Sequence, residues 1–171
     1  MISTKKISSK ITLRPGTKPD LVAINTVIER AVHTWNLPER VKRLAMPSYL
    51  YNAYDLQHLH IVLAEDCGAG VIGVAGWEKA AVRECPPGQN GLLLHGLYVD
   101  PDQQRRGTGF RLLSAAATAA KENGYDGLLV KAQADAEAFF RSRGLQQLAV
   151  EDSKRDYPSR FWLDCRVRQV A

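Results

Sequence analysis

Apolar residues recur at three- and four-residue steps from Leu21 to Trp35, through Ile24, Val27, Ile28, Ala31 and Val32. That period lays one apolar stripe along a helix. Asp20 stands where its N-cap belongs. A short extended run, Ile11 to Arg14, precedes it and closes at Pro15-Gly16. Pro38 to Met46 restarts a helix, and Tyr49, Leu50, Tyr51, Tyr54 and Leu56 extend or follow it after Pro47. The texture then changes to strands at His60–Glu65 and Val71–Trp77, joined by the Gly-rich hairpin turn at residues 66–70. Past Pro86-Pro87-Gly88 comes a third strand, Gly91–Val99, and a turn at Asp100-Pro101-Asp102. An Ala-rich helix runs from Gly107 to Asn123 and stops at Gly124. A strand at Leu128–Ala132, a short helix at Asp135–Arg143 closed by Gly144, and two strands at Leu145–Glu151 and Phe161–Val167 complete the pattern. The order β-α-α-β-β-β-α-β-α-β-β predicts a mixed α/β fold, one domain over residues 1–171 with no dividing linker.

Composition narrows the classes. The 171 residues are 45% apolar and 24% charged, which suits an ordinary folded core. The net charge is +5, but Lys5, Lys6, Lys10, Arg14 and Lys18 carry it within the first nineteen residues, where there is no acid. Residues 1–10 are expected to be a mobile basic arm, and residues 20–171 sum to zero net charge. Such a balanced body argues against a nucleic-acid binder, which would cluster basic residues over a folded face. No apolar run approaches a membrane span, and the start lacks the features of a signal peptide. Cys67, Cys85 and Cys165 are odd in number and far apart. They read as reduced thiols of a cytoplasmic protein.

Two motifs carry no chemistry. Gly68-Ala69-Gly70-Val71-Ile72-Gly73 matches a dinucleotide fingerprint, but it runs into a strand, whereas the fingerprint needs a helix. His58 and His60 near Cys67 lack metal-ligand spacing and a fourth ligand, so no metal is expected.

The informative stretch runs from Leu97 to Leu113. A strand ends, turns at Pro101 and delivers Gln104-Arg105-Arg106-Gly107-Thr108-Gly109 to a helix start. Glycines at 107 and 109 let a ligand approach the backbone. The first helical turn offers amide N–H groups with no intrahelical partner, under the positive end of the helix dipole. Arg105, Arg106 and Arg111 add full charges. The combination suits a pyrophosphate.

These residues resemble the GNAT superfamily of acyl-CoA-dependent N-acyltransferases. Its signature [RQ]-x-x-G-x-[GA], after a strand ending L-x-V-x-P, is matched by Leu97-Tyr98-Val99-Asp100-Pro101 and Gln104 to Gly109. A second motif is matched by Gln133-Ala134-Asp135-Ala136-Glu137-Ala138-Phe139-Phe140-Arg141-Ser142-Arg143-Gly144-Leu145. The resemblance implies acetyl-CoA as cosubstrate, its pyrophosphate held by amides from Gln104 through Gly109 at the Phe110 turn. It also implies backbone pairing of Leu97, Tyr98 and Val99 with the pantetheine arm, in the manner of an added strand. The N–H near Val99 would polarise the thioester carbonyl, and Gln133 and Phe140 would border the coenzyme on the far side. The family often has a tyrosine where Phe140 stands, as an acid for the leaving thiolate, and an asparagine where Gln133 stands.

The implied reaction is acetyl transfer to a primary amine of a small molecule or peptide. A base must take the amine's proton. His95 shares the strand parity of Leu97 and Val99 and is the first candidate. Glu78 at a strand end is another, and Tyr157 is a candidate acid. Trp35, Tyr49, Tyr51, Tyr54 and Trp77 are candidate walls of the acceptor pocket. The rival readings are a coenzyme-binding module without catalysis, suggested by Phe140, and a nucleic-acid binder using the basic arm. The resemblance also admits a homodimer.

Overall fold

The computed structural model describes residues 10–166. The expected basic arm, apart from Lys10, lies outside the described residues, as does Val167 at the end of the expected closing strand.

The strands form one seven-stranded sheet in the order β1-β2-β3-β4-β5-β7-β6. They are β1 Ile11–Pro15, β2 His60–Asp66, β3 Gly70–Lys79, β4 Gly91–Val99, β5 Gly127–Lys131, β6 Gln146–Gln147 and β7 Arg160–Asp164. Neighbours are antiparallel except for β4 and β5, which run parallel through the crossover helix α4, Thr108–Glu122. The helices α1 Leu21–His33, α2 Glu39–Tyr49 and the one-turn α3 Asp55–His58 precede β2, and α5 Glu137–Ser142 follows β5.

Two large cores and a smaller cluster of Ala80, Cys85, Leu129 and Trp162 cover the sheet. On one face Ile24, Val27, Ile28 and Val32 of α1 pack with Leu63, Val74 and Tyr98. On the other, Leu112, Leu113, Ala116 and Ala120 of α4 pack with Ile72, Leu94, Leu128 and Phe161. The alanines let α4 lie close to the strands. A Cβ at Gly73 would stand only 3.0 Å from Leu112 and from Thr108.

Two expectations are sharpened and two need correction. Asp20 holds the N-cap position of α1 but makes no side-chain cap bond there. Its carboxylate accepts the Thr17 amide and hydroxyl at 2.8 and 2.6 Å and two bonds from Arg14, so it closes the preceding turn. Helix α2 continues through Pro47 to Tyr49. The strand expected at Leu145–Glu151 is two residues long. The chain leaves the sheet because the buried Asp156 carboxylate draws the Glu151 and Asp152 amides into a turn. Finally, β4 carries a bulge. Gly76 pairs with Gly96 and Trp77 with Leu94, leaving His95 opposite no residue of β3. The extra residue flips the parity of the strand. Leu92 and Leu94 before it, and Leu97 and Val99 after it, therefore all pack toward α4, while Tyr98 faces α1. His95 does not share their face, and its exposed ring lies 6.1 Å from that of Tyr51.

Candidate functional site

β4 and β5 pair only from Gly91 to Leu94 on β4 and from Gly127 to Val130 on β5. Beyond that they part. β5 stays with β7, while the β5-facing edge of His95 to Val99 is left without a strand. The opening is a cleft of about 560 Å³ between β4, the segment after β5, the start of α4 and the end of α1. An open parallel edge presents N–H and C=O groups to any extended ligand laid along it.

The floor at one end is the turn into α4. Arg105 adopts φ 61° and Gly107 φ 77°. Left-handed residues alternating with others turn successive amides inward, making a concavity for an anion. The positive φ costs the non-glycine Arg105 about 1–2 kcal/mol, a strain that is tolerated where it shapes a site. Thr108 is 1% exposed, and its Oγ1 has no hydrogen-bond partner among the described residues. A Cβ on Gly109 would touch Phe139 and Val99 at ordinary contact distances of 3.5 and 3.7 Å. Free first-turn amides, a concave loop and an unpartnered hydroxyl are a donor set suited to a pyrophosphate.

Leu97, Tyr98, Val99, Gln104, Arg105, Gly107, Thr108, Gly109, Phe110, Gln133 and Phe140 all line this cleft. Arg106 does not. Its guanidinium bonds to Gln103 Oε1 and at 2.7 Å to Asp66, whose carboxylate is nearly enclosed. That contact comes first among the causes that hold Asp66 below the usual carboxylate range. Arg111 donates at 2.6 Å to the Ile11 carbonyl, tying α4 to β1. Asp100 and Asp102 pair with Arg30 of α1 rather than with the loop arginines. The cationic residues that line the cleft are instead Arg105, Lys131, which pairs with Glu84 at 2.6 Å, and one the sequence reading passed over, Arg143. The Arg143 guanidinium sits 4.7 Å from the Phe110 ring centroid and 5.7 Å from that of Phe139. Its signal was present, an arginine closing the second motif just before Gly144.

Of the candidate proton carriers, His95 lines the cleft at the bulge, whereas Glu78 and Tyr157 do not line it. Phe140 is 4% exposed and packs between Phe139 and Phe161. The aromatic residues separate. Trp35 and Tyr49 line the cleft, Tyr51 and Trp77 are buried, and Tyr54 is exposed and stacked on His58. The Tyr49 hydroxyl accepts a 3.4 Å bond from Gln133 Nε2, and its ring meets Trp35 edge-on at 5.2 Å. Burial, then Tyr157, pushes the Tyr49 hydroxyl up from its ordinary pKa, with Gln133 opposing. The Cys165 thiol is pushed up to about 11 by burial, and Cys85 is also raised. Among the described residues no cluster of three or more His, Cys, Asp or Glu side chains could hold a metal. None of the helices there is long and apolar enough to cross a membrane.

The sequence matches the family model described as Acetyltransferase (GNAT) family over residues 28–145. No curated protein matches it. Among solved structures, a GNAT family acetyltransferase from Brucella melitensis in complex with acetyl-CoA is similar, with a TM-score of 0.63 and 16% identity. The match covers 91% of this chain and 88% of that one. The PaiA N-acetyltransferase from Thermoplasma acidophilum in complex with coenzyme A gives a TM-score of 0.68 at 14% identity over 91% and 99% of the two chains. An N-acetyltransferase from Staphylococcus aureus Mu50 gives 0.60 at 21% identity over 92% and 99%. At such identities the likeness is one of fold.

Proposed function

The chain belongs to the acetyltransferase (GNAT) family, whose cosubstrate is acetyl-CoA, and on that basis we propose that it acetylates a primary amine of a small molecule or peptide by direct attack in a ternary complex. One observation carries the reading: the open edge of β4 leads straight into the amide-lined turn at the start of α4. The two are placed in series, as a long thioester ending in a pyrophosphate requires.

The residues divide the work. Amides of Arg105 and Gly107 to Gly109 hold the pyrophosphate, with Arg105 and Arg143 at the mouth. The edge of Leu97 to Val99 pairs with the pantetheine arm. The Val99 N–H donates to the thioester oxygen as negative charge grows there, a contribution of about 3 kcal/mol for one such donor. His95 at the bulge takes the amine proton, directly or through water. Holding both reactants side by side removes much of the entropic barrier, and no covalent enzyme intermediate is needed. The raised, buried thiols of Cys85 and Cys165 favour that direct route. The acceptor enters beside Trp35 and Tyr49. A panel of primary amines and short peptides, assayed for free thiol released from acetyl-CoA, tests the reading. Release that depends on one class of amine supports it. Phe140 motivates a second reading, a coenzyme-binding module. Tight coenzyme binding with no turnover on any amine would establish that reading and overturn the first.

A further inference from the structure

We propose that Asp66, at the end of β2 and outside the cleft, is a positioning residue for coenzyme binding: through Arg106 it holds the turn before α4 in its anion-binding shape. The inference rests on the reading of that turn as the seat of the pyrophosphate. It also gives Arg106 a task other than the one its place in the motif implies, since the guanidinium is committed to Asp66 and not to the ligand.

The turn needs holding. Arg105 and Gly107 both have positive φ, at 61° and 77°. A non-glycine residue in that region is strained and persists only where its surroundings fix it. Upstream, Arg30 of α1 clamps Asp100 at 2.8 Å and Asp102 at 2.6 Å. Downstream, α4 begins at Thr108. Between them stands Arg106, flanked by the two positive-φ residues. Arg105 and Gly107 line the cleft, and Arg106 does not. Its guanidinium reaches instead to Gln103 of the same loop and, at 2.7 Å, to Asp66. The Asp66 side chain is 5% exposed and that of Arg106 29%, so the pair is shielded from salt more than a surface pair. Asp66 is itself firmly placed. Its Oδ1 accepts from the Gly68 and Ala69 amides at 2.9 and 3.2 Å, while Oδ2 accepts from Arg106. One carboxylate thus ties the end of a hairpin to the middle of the loop. Charge adds to geometry. A bare carboxylate close to the turn would repel a pyrophosphate, and Arg106 neutralises it.

The test measures the Kd of coenzyme A by calorimetry for the wild-type chain, Asp66→Asn, Arg106→Met and the double variant, with melting temperatures as a check on folding. Asp66→Asn keeps a side-chain oxygen for the Gly68 and Ala69 amides but turns an amide NH2 toward the guanidinium, so it opens the clamp and spares the hairpin. Left unheld, a strained turn is competent about a tenth of the time, and each single variant is expected to bind about tenfold more weakly. The double variant should bind no more weakly than the weaker single, because both changes remove one contact. With the most active amine of the panel, the KM for acetyl-CoA should rise by the same factor while kcat and the KM for the amine hold. Should Arg106→Met not fold with Asp66 unpaired, Asp66→Asn and the double variant carry the comparison, and equal Kd values are expected. A double variant weaker by the product of the singles overturns the inference, as does a fall in kcat. An Asp66→Asn chain that binds as well as wild type, or better, makes Arg106 a direct ligand and overturns this inference alone. A wild type that does not bind coenzyme A overturns the underlying reading and this inference with it.

Discussion

Tyr51 shows how much a single side chain can shape the site. Its amide and carbonyl are both bonded to Asn25 of α1, at 2.9 and 2.8 Å. Its buried hydroxyl lies against the sheet with no partner among the described residues. It stands 2.7 Å from where a Cβ would be on Gly76 and 2.8 Å from one on Gly96. Both positions flank the bulge, so glycine there is a steric demand of the tyrosine. Gly96→Ala would also press on Tyr98 at 2.5 Å. It is expected to cost about 1–3 kcal/mol, read from urea unfolding. Tyr51→Phe removes an unpaired buried group and is expected to leave the urea midpoint unchanged or raised. A clear loss of stability would mean that the hydroxyl has a partner. The loop glycines were legible in the sequence because Gly-x-Gly before a helix has few other uses. The fates of Arg106 and Arg111 were not, since their partners Asp66 and Ile11 are remote in the chain. Charge counting sees a basic motif, and only packing decides which charges face the ligand.

Among the elements, the parting of β4 from β5 and the turn into α4 do the most. The order of elements and the β4–α4–β5 crossover were readable from periodicity and stop signals. The bulge was not, because Leu92 to Val99 is apolar on both faces of a covered sheet and no alternation marks a slipped residue. The expected parity of His95 failed for that reason. The length of β6 failed because the Asp156 turn competes with the sheet for the same backbone amides. Gly107 is the most exacting position of the turn. At φ 77° an alanine is strained by about 1–2 kcal/mol. Gly107→Ala is expected to lower the melting temperature modestly and to weaken coenzyme A binding about tenfold. Calorimetry with coenzyme A checks it, and an unchanged Kd would show that the turn does not hold the ligand.

In the molecule as a whole, the net charge of +5 says little about the partner, because the acids and bases of residues 20–171 balance and several of them pair across elements. Asp20 is held below the usual carboxylate range first by Arg14, Asp66 first by Arg106, and Asp156 first by Arg155. A depressed folded pKa adds stability above the unfolded value of about 3.9 and loses it as pH falls below. The melting temperature should therefore hold from about pH 7 to 5 and fall below about 4. A rise on acidification would contradict the pairing. Thiol chemistry should divide the same way as burial. Cys67 is exposed while Cys85 and Cys165 are buried, so a thiol reagent should label the native protein at Cys67 alone, and all three cysteines after unfolding.

The most direct test is a crystal structure of the chain soaked with coenzyme A. The pyrophosphate oxygens should lie within hydrogen-bond reach of the amides of Arg105 and Gly107 to Gly109, and the pantetheine arm should run along Leu97 to Val99. Coenzyme A bound at any other surface, or a pyrophosphate held by side chains away from that turn, would contradict the account.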